Sequence, residues 1–164
     1  MAKPKPCVVG MDADLRWISE ENERSHVILV IEDQTAHIDA IEQVLSQSNT
    51  AREIVFIHST QEAIDFLRGQ NNHEQPQRPD LILMNIHISA GNGSTLLTEI
   101  KSDGALRRIP TILLTNRADT AEILSSYQQQ CNCYVIKPQE LTRLNEVISV
   151  IESFWLNLVT LPTE

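Results

Sequence analysis

Short apolar runs that end abruptly on polar residues dominate the pattern of this sequence. The most informative run spans residues 81–84, between a Pro79-Asp80 turn signal and a cluster of Gly, Asn and Ser that begins at Ser89. A run of this length between breakers is typical of a strand buried on both faces, and such strands belong to parallel sheets covered by helices. Asn85 therefore falls at the carboxyl end of a central strand, the edge where open α/β sheets bind ligands.

Four further apolar runs alternate with segments of helical periodicity. The other predicted strands span residues 27–31, 53–58, 111–114 and 133–136, and the predicted helices begin near residues 35, 60, 94, 118 and 140. In those helices the apolar residues recur every three or four positions, as in an amphipathic helix. Because parallel crossovers are right-handed, the alternation predicts a doubly wound α/β fold. Its five-stranded parallel sheet has the flavodoxin-like order 2-1-3-4-5.

The two ends of the chain fall outside this alternation. Residues 1–25 show no steady period, and we expect a flexible arm there. Residues 26–153 form the predicted domain. Residues 154–164 carry more apolar surface than one helix face buries, so we expect Phe154, Trp155 and Leu158 to contact a partner, most simply in a twofold dimer. The alternative is that this tail folds back on its own domain.

The composition narrows the class of protein. The chain has 164 residues, a formal net charge of -9 and three cysteines, Cys7, Cys131 and Cys133. The negative charge argues against a nucleic-acid-binding protein, because phosphate contacts need a basic surface. No apolar run reaches the roughly 20 residues that cross a bilayer, and the first residues lack the apolar segment of a signal peptide. We therefore expect a cytoplasmic protein with reduced thiols and no membrane partner.

Chemically active side chains collect at the carboxyl ends of the predicted strands. They are Glu32 and Asp33 after the first strand, Asn85 after the third, Thr115 after the fourth and Lys137 after the fifth. In the predicted strand order these ends meet at one crevice. Paired acids suit a hard divalent cation such as Mg²⁺, and a hydroxyl with a lysine suits a phosphoryl group.

Four segments that contain these side chains resemble the response-regulator receiver domain in both their order and their spacing. They read ILVIED at residues 28–33, PDLILMN at 79–85, IPTILLT at 109–115 and YVIKP at 134–138. The resemblance covers residues 26 to about 153 and implies the CheY-like receiver fold.

A narrower similarity lies in the second half of the chain. The segments EIKSD (99–103), RRIP (107–110), CNCYVIKP (131–138) and IESFWL (151–156) are similar to the stand-alone regulators that partner cyanobacterial phytochromes. This similarity implies a sensor histidine kinase, such as a phytochrome, as the partner. It also implies a homodimer built from the fourth helix, fifth strand, fifth helix and tail.

The resemblance implies a role for each residue of the crevice. In the receiver family an aspartate after the third strand accepts a phosphoryl group from a histidine kinase, while the acid pair holds Mg²⁺. Carried over, the acid pair is Glu32 and Asp33, and the phosphoryl contacts are Thr115 and Lys137. Tyr134 is the aromatic residue that switches position on activation, or a packed aromatic if that trigger is missing.

The acceptor position departs from the family, because it holds Asn85. An amide is a poor nucleophile for phosphorus, since covalent catalysis by a carboxylate needs the anion, and it adds no charge to a cation site. We expect a weakened Mg²⁺ site formed by Asp33, Glu32, Asn85 and the backbone carbonyl of His87, and no organic cofactor. The His87 side chain is expected to be an exposed loop residue. Lys137 is expected to pair with Asp33.

Two further positions complete the comparison with the family. The loop at residues 88–93 lacks the proline usual in the family, and its Gly91 and Gly93 permit positive φ and add mobility. Pro138 matches a position that the family holds cis. Because the cis form of an X-Pro bond costs only about 0.5–1 kcal/mol, we expect a cis peptide there.

These observations favour a non-enzymatic signalling module. It would be a stand-alone pseudo-receiver that binds a sensor kinase and is not phosphorylated at Asn85. One alternative is a conventional phosphorelay receiver whose acceptor aspartate is substituted or engineered to asparagine. The other is a flavodoxin-like cofactor-binding protein, which the acidic, glycine-free segment at residues 32–35 disfavours because it repels a phosphate-bearing cofactor.

Overall fold

The computed structural model describes residues 26–49, 51–70 and 78–162. Its strands are β1 (His26–Ile31), β2 (Ala51–Ile57), β3 (Leu81–Asn85), β4 (Thr111–Thr115) and β5 (Cys133–Ile136). All neighbouring strands pair in parallel, and the order β2-β1-β3-β4-β5 confirms the predicted sheet. The flexible arm predicted at residues 1–25 lies outside the described residues.

Five α-helices connect and follow these strands. They are α1 (Thr35–Leu45), α2 (Thr60–Arg68), α3 (Gly93–Ser102), α4 (Thr120–Gln128) and α5 (Leu141–Glu152). A π-helical turn, Ser153–Leu158, extends α5. Among the described residues, no helix is both long enough and apolar enough to span a membrane.

The core has two layers, one on each face of the sheet. Every residue of β1 and β3 is buried, which explains why these strands read as continuous apolar runs. Leu29 and Met84 pack with α2 and α3 on one face. Val30 and Leu83 pack with α1 and α5 on the other. Helix α4 buries only Ser126, so it lies at the margin of the core.

The tail divides between the core and the surface. Leu156 and Leu161 are buried in the layer that contains α1 and α5, and Trp155 packs against the same layer. Trp155 is thus partly buried within the single chain, and its contact with a partner stays a prediction. Phe154 and Leu158 remain 47% and 52% exposed.

A buried lysine fixes the connection between α3 and β4. The Lys101 ammonium donates to the carbonyl oxygens of Arg107 (3.2 Å) and Ile109 (2.9 Å) and to Asn132 Oδ1 (2.9 Å). Burial lowers the pKa of Lys101 to about 8. Three oxygen acceptors thus hold the amino end of β4 beside the residue that precedes β5.

Helices α2 and α4 end in the same backbone arrangement with different residues. After α2, the N–H groups of Gly69 and Gln70 return to carbonyls three and five residues back, and Gly69 has φ +65°. After α4, Gln130 and Cys131 repeat this pattern. Gln130, at φ +66°, is the one non-glycine residue in the described chain with positive φ. This terminus favours glycine, because a side chain is strained in the left-handed region.

We expect Gln130→Gly to stabilise the protein by about 0.5–1 kcal/mol, because glycine removes the left-handed strain at a small entropic cost. The matched control is Gln128→Gly, also at an exposed position but inside α4, which should destabilise by roughly 0.5–1 kcal/mol. Urea unfolding of both variants checks the opposite signs. Equal effects would mean that Gln130 carries no strain.

Candidate functional site: the crevice at the carboxyl edge of the sheet

Glu32 is the central residue of the crevice. It follows β1 and is buried. Its Oε1 accepts from Asn85 Nδ2 (3.0 Å) and from the backbone N–H groups of Asp33 (3.0 Å) and Gln34 (3.2 Å). Its Oε2 accepts from Lys137 Nζ at 2.7 Å. Both carboxylate oxygens are therefore engaged by donors from the protein itself.

Lys137 reaches Glu32 from the end of β5. The two side chains are 0% and 1% exposed, so this is a buried ion pair. The expected pairing with Asp33 is wrong, because the Glu32 carboxylate points into the crevice toward the ammonium. Lys137 Nζ also lies 3.1 Å from His37 Nδ1. Since an ammonium only donates, Nδ1 must accept and the ring proton must be on Nε2.

Asp33 faces the loop that follows β3. Its Oδ2 accepts hydrogen bonds from the Ser89 backbone N–H (2.8 Å) and from the Ser89 hydroxyl. Partial burial disfavours the charged form, but these hydrogen bonds outweigh it and hold the pKa of Asp33 below its ordinary value. Ser89 therefore satisfies the carboxylate of the second acid, while the Asp33 backbone N–H donates to Glu32.

Asn85 suits its neighbours as an amide. It ends β3 and is buried, with Nδ2 donating to Glu32 and Oδ1 accepting from the His87 backbone N–H at 3.0 Å. Opposite ends of one amide thus serve a donor and an acceptor. An aspartate here would instead place a second carboxylate at hydrogen-bonding distance from Glu32, which is unfavourable for two ionised acids.

A third carboxylate, Glu122 of α4, binds the predicted switch residue Tyr134 and two of its neighbours. It accepts from the Tyr134 hydroxyl (2.5 Å) and from the Thr115 hydroxyl (3.4 Å). It also contacts His87 Nε2 at 2.9 Å. His87, whose side chain is 33% exposed, is thus at the surface as expected, but it is paired. We call Glu122, His87, Thr115 and Tyr134 the Glu122 cluster.

The loop after β3 uses its glycines for close approach. Gly91 has φ +132°, and a Cβ there would lie 1.8 Å from Thr60 Oγ1. At Gly93 a Cβ would lie 2.4 Å from the Ile86 carbonyl oxygen, although its φ is not positive. Gly91 therefore uses the positive φ that glycine permits and Gly93 does not. Gly93 is needed because α3 begins against the Ile86 backbone, directly after β3.

The Lys137-Pro138 peptide is trans, so the expected cis bond is wrong: the described residues contain no cis peptide. Trans is the lower-energy isomer of an X-Pro bond. With it, the Lys137 backbone N–H still donates to the Thr115 carbonyl at 2.6 Å, and the side chain still reaches Glu32. Neither contact of Lys137 requires the cis isomer.

The crevice as arranged fits Mg²⁺ poorly. Mg²⁺ needs oxygen ligands that are free to coordinate, but both oxygens of Glu32 are engaged, by Lys137 and by Asn85, and Oδ2 of Asp33 is engaged by Ser89. An ammonium also lies in the position where a cation would approach Glu32. Within the described part of the chain, no group of three or more His, Cys, Asp or Glu residues is arranged to hold a metal.

Sequence reasoning placed the acids, Asn85, Thr115 and Lys137 at one edge of the sheet, and the structure brings them there. It missed three partners of these residues: His37, Ser89 and Glu122. His37 had one usable signal, its position in the first turn of the helix that follows the acid pair. Ser89 and Glu122 gave none, because loop and helix geometry decide which side chains they meet.

The fold and the crevice together are those of a signal-receiving module of the doubly wound class. The family model for the response regulator receiver domain matches residues 28–149. The chain belongs to this family, and it is a receiver domain of two-component signal transduction.

Its relatives include cyanobacterial regulators. Response regulator Rcp1 of Synechocystis sp. is 35% identical over 145 residues, which cover 88% of this chain and 99% of Rcp1. The crystal structure of the phosphorylated cyanobacterial phytochrome response regulator RcpA superposes with a TM-score of 0.82 at 35% identity, covering 85% of this chain and 99% of RcpA. The Mn²⁺-bound form of Rcp1 gives 0.81 at 36% identity, covering 84% and 99%.

We expect Glu122→Gln to lower the pKa of Tyr134. Burial and the hydrogen bond to Glu122 raise this pKa to about 12, and removing the negative charge makes the phenolate easier to form. Phenolate absorbance at 295 nm, measured near pH 11 in a Tyr127→Phe background, should therefore rise in Glu122→Gln. The exposed Glu146 supplies the control, Glu146→Gln, which should leave the absorbance unchanged. Identical titrations would show that Glu122 does not hold Tyr134.

Proposed function

We propose that this protein is a stand-alone pseudo-receiver that signals by protein–protein contact and is not phosphorylated at Asn85. The observation that carries the proposal is the buried arrangement of Asn85, Glu32 and Lys137, in which Asn85 Nδ2 and Lys137 Nζ both donate to Glu32. No anionic oxygen is available at residue 85 to attack phosphorus.

The residues that would contact a phosphoryl group have other partners. Lys137 is bound to Glu32 and His37, and the Thr115 hydroxyl donates to Glu122. These contacts support a crevice that keeps one arrangement without modification. The weakened Mg²⁺ site belongs to the same proposal, because the acids that would hold the ion are already hydrogen-bonded.

The second candidate is a conventional receiver whose acceptor is replaced by Asn85. It is favoured by the retained acid pair, Thr115 and Lys137, and by the similarity to RcpA, whose crystal structure is of the phosphorylated protein. Family membership argues against the flavodoxin-like cofactor-binding alternative. The partner we propose is a sensor histidine kinase of the phytochrome type, on the basis of the similarity to Rcp1 and RcpA.

Intact mass spectrometry before and after incubation with acetyl phosphate and Mg²⁺ separates the two candidates. We expect the wild-type protein to keep its encoded mass, because the amide is not a nucleophile. Asn85→Asp should gain one phosphoryl group, since it restores the carboxylate in an otherwise intact scaffold.

Two results would contradict this expectation in different ways. A labelled wild-type protein would overturn the pseudo-receiver proposal, and peptide mapping would then identify the modified residue, including any aspartate formed by deamidation of Asn85. If neither protein is labelled, the scaffold itself is no longer competent. The conventional candidate would then be excluded.

Exposed apolar side chains support a homodimer as the functional unit. Six of them, on α4, β5, α5 and the π-helical turn, are between 46% and 68% exposed: Leu124, Tyr127, Ile136, Val150, Phe154 and Leu158. Apolar side chains left at the surface mark protein–protein contacts where they lie together. We propose that two copies pack through these elements, with Phe154 and Leu158 at the tail.

We expect the double variant Phe154→Glu/Leu158→Glu to be monomeric where the wild type is a dimer, because four charges would be brought together across a twofold contact. Light scattering coupled to size exclusion gives the mass of each species. Thr160→Glu, at an exposed polar position of the same tail, is the control and should remain dimeric. A wild-type protein that stays monomeric at high concentration would exclude this dimer.

A further inference from the structure

We propose that the Lys137 ammonium is the resident cation of the crevice, and that Lys137 and a divalent cation exclude each other at Glu32. The inference deepens the proposed function and rests on it, because it requires residue 85 to be uncharged. It explains why the crevice fits Mg²⁺ poorly although both acids of the pair are present.

The first support is the position of the ammonium. Lys137 Nζ lies 2.7 Å from Glu32 Oε2 and 3.1 Å from His37 Nδ1. A metal bound to that carboxylate oxygen would lie about 2.0–2.2 Å away. A metal and the ammonium would then compete for the same side of Glu32, with two positive centres in a buried space. One of them must leave.

The second support is the charge of the crevice. Glu32 and Asp33 bring two negative charges and Lys137 brings one positive charge. The remainder is a single negative charge on Asp33, which already accepts two hydrogen bonds from Ser89. An aspartate at residue 85 would leave two negative charges, which match a divalent ion. Asn85 removes that match, and the lysine alone neutralises Glu32.

The third support is His37, which accepts a hydrogen bond from the ammonium through Nδ1. This contact holds Lys137 in place from the first turn of α1. Without the ammonium, Glu32 Oε2 and His37 Nδ1, which are 3.4 Å apart, would offer one oxygen and one nitrogen ligand. Carboxylate oxygens suit Mn²⁺ as they suit Mg²⁺, and free Mn²⁺ can be followed directly by its paramagnetism, so Mn²⁺ is the suitable probe.

The test is a titration with Mn²⁺ in the absence of any phosphodonor, in which the electron paramagnetic resonance signal of free Mn²⁺ is measured. Wild-type protein should bind weakly, and its melting temperature should not change with Mn²⁺. Lys137→Met should bind about 10- to 100-fold more tightly, the range over which the partners of metal ligands change affinity. Its melting temperature should rise with Mn²⁺.

Two control variants define the site. Lys137→Met/Glu32→Gln removes both members of the ion pair and should bind no more tightly than the wild type, because the carboxylate is absent. Lys137→Arg keeps a cation beside Glu32 and should also show no gain. A tighter Mn²⁺ complex in either control would place the metal elsewhere and overturn the inference.

The folding of Lys137→Met also tests the inference. The variant leaves Glu32 buried without its cation, which destabilises the fold, and Mn²⁺ should restore the far-ultraviolet circular dichroism if the metal replaces the ammonium. The inference is overturned if the variant stays unfolded at all Mn²⁺ concentrations. It is also overturned if the variant folds and binds Mn²⁺ no more tightly than the wild type.

The outcomes for the two proposals are separable. A wild-type protein that binds Mn²⁺ tightly but is not labelled by acetyl phosphate would overturn only the exclusion by Lys137. A wild-type protein that is labelled while its crevice excludes Mn²⁺ would overturn only the pseudo-receiver function.

Discussion

The buried ion pair between Glu32 and Lys137 connects parts of the chain that are 105 residues apart. Burying two charges costs more than their attraction returns unless further hydrogen bonds satisfy them. Asn85 and two backbone N–H groups complete Glu32, and His37 completes Lys137. The pair thus depends on the relative positions of β1, β3, β5 and α1. It therefore also contributes to holding these elements of the domain together.

The sheet could be predicted because burial leaves a clear record in the sequence. The central strands β1 and β3 are covered on both faces, so residues 27–31 and 81–84 are continuous apolar runs, each followed by a polar residue. For α4, the sequence pattern predicts a start near Ala118, two residues too early. The helix begins at Thr120, because the Asp119 side chain accepts from the N–H groups of Ala121 and Glu122 and caps it. Strand order then placed the acids, Asn85, Thr115 and Lys137 together.

The pairing within the crevice could not be predicted, because it depends on side-chain direction. From the sequence, Lys137 could pair with either Glu32 or Asp33. Only the structure shows that Lys137 binds Glu32 and that Ser89 donates to Asp33. The tail shows the same limit. Its apolar residues do not reveal which of them turn inward, and the π-helical turn buries Leu156 while exposing Phe154.

The Glu122 cluster connects the crevice to the outer surface through one residue, Glu122. Glu122 lies on α4, the helix least embedded in the core, yet it accepts hydrogen bonds from Thr115, the last residue of β4, and from Tyr134 within β5. Any ligand of α4 that moves Glu122 must therefore alter the contacts of both residues. Since coupling between two sites acts equally in both directions, a change in the contacts of Thr115 or Tyr134 would in turn reach the surface of α4, with no modification of Asn85.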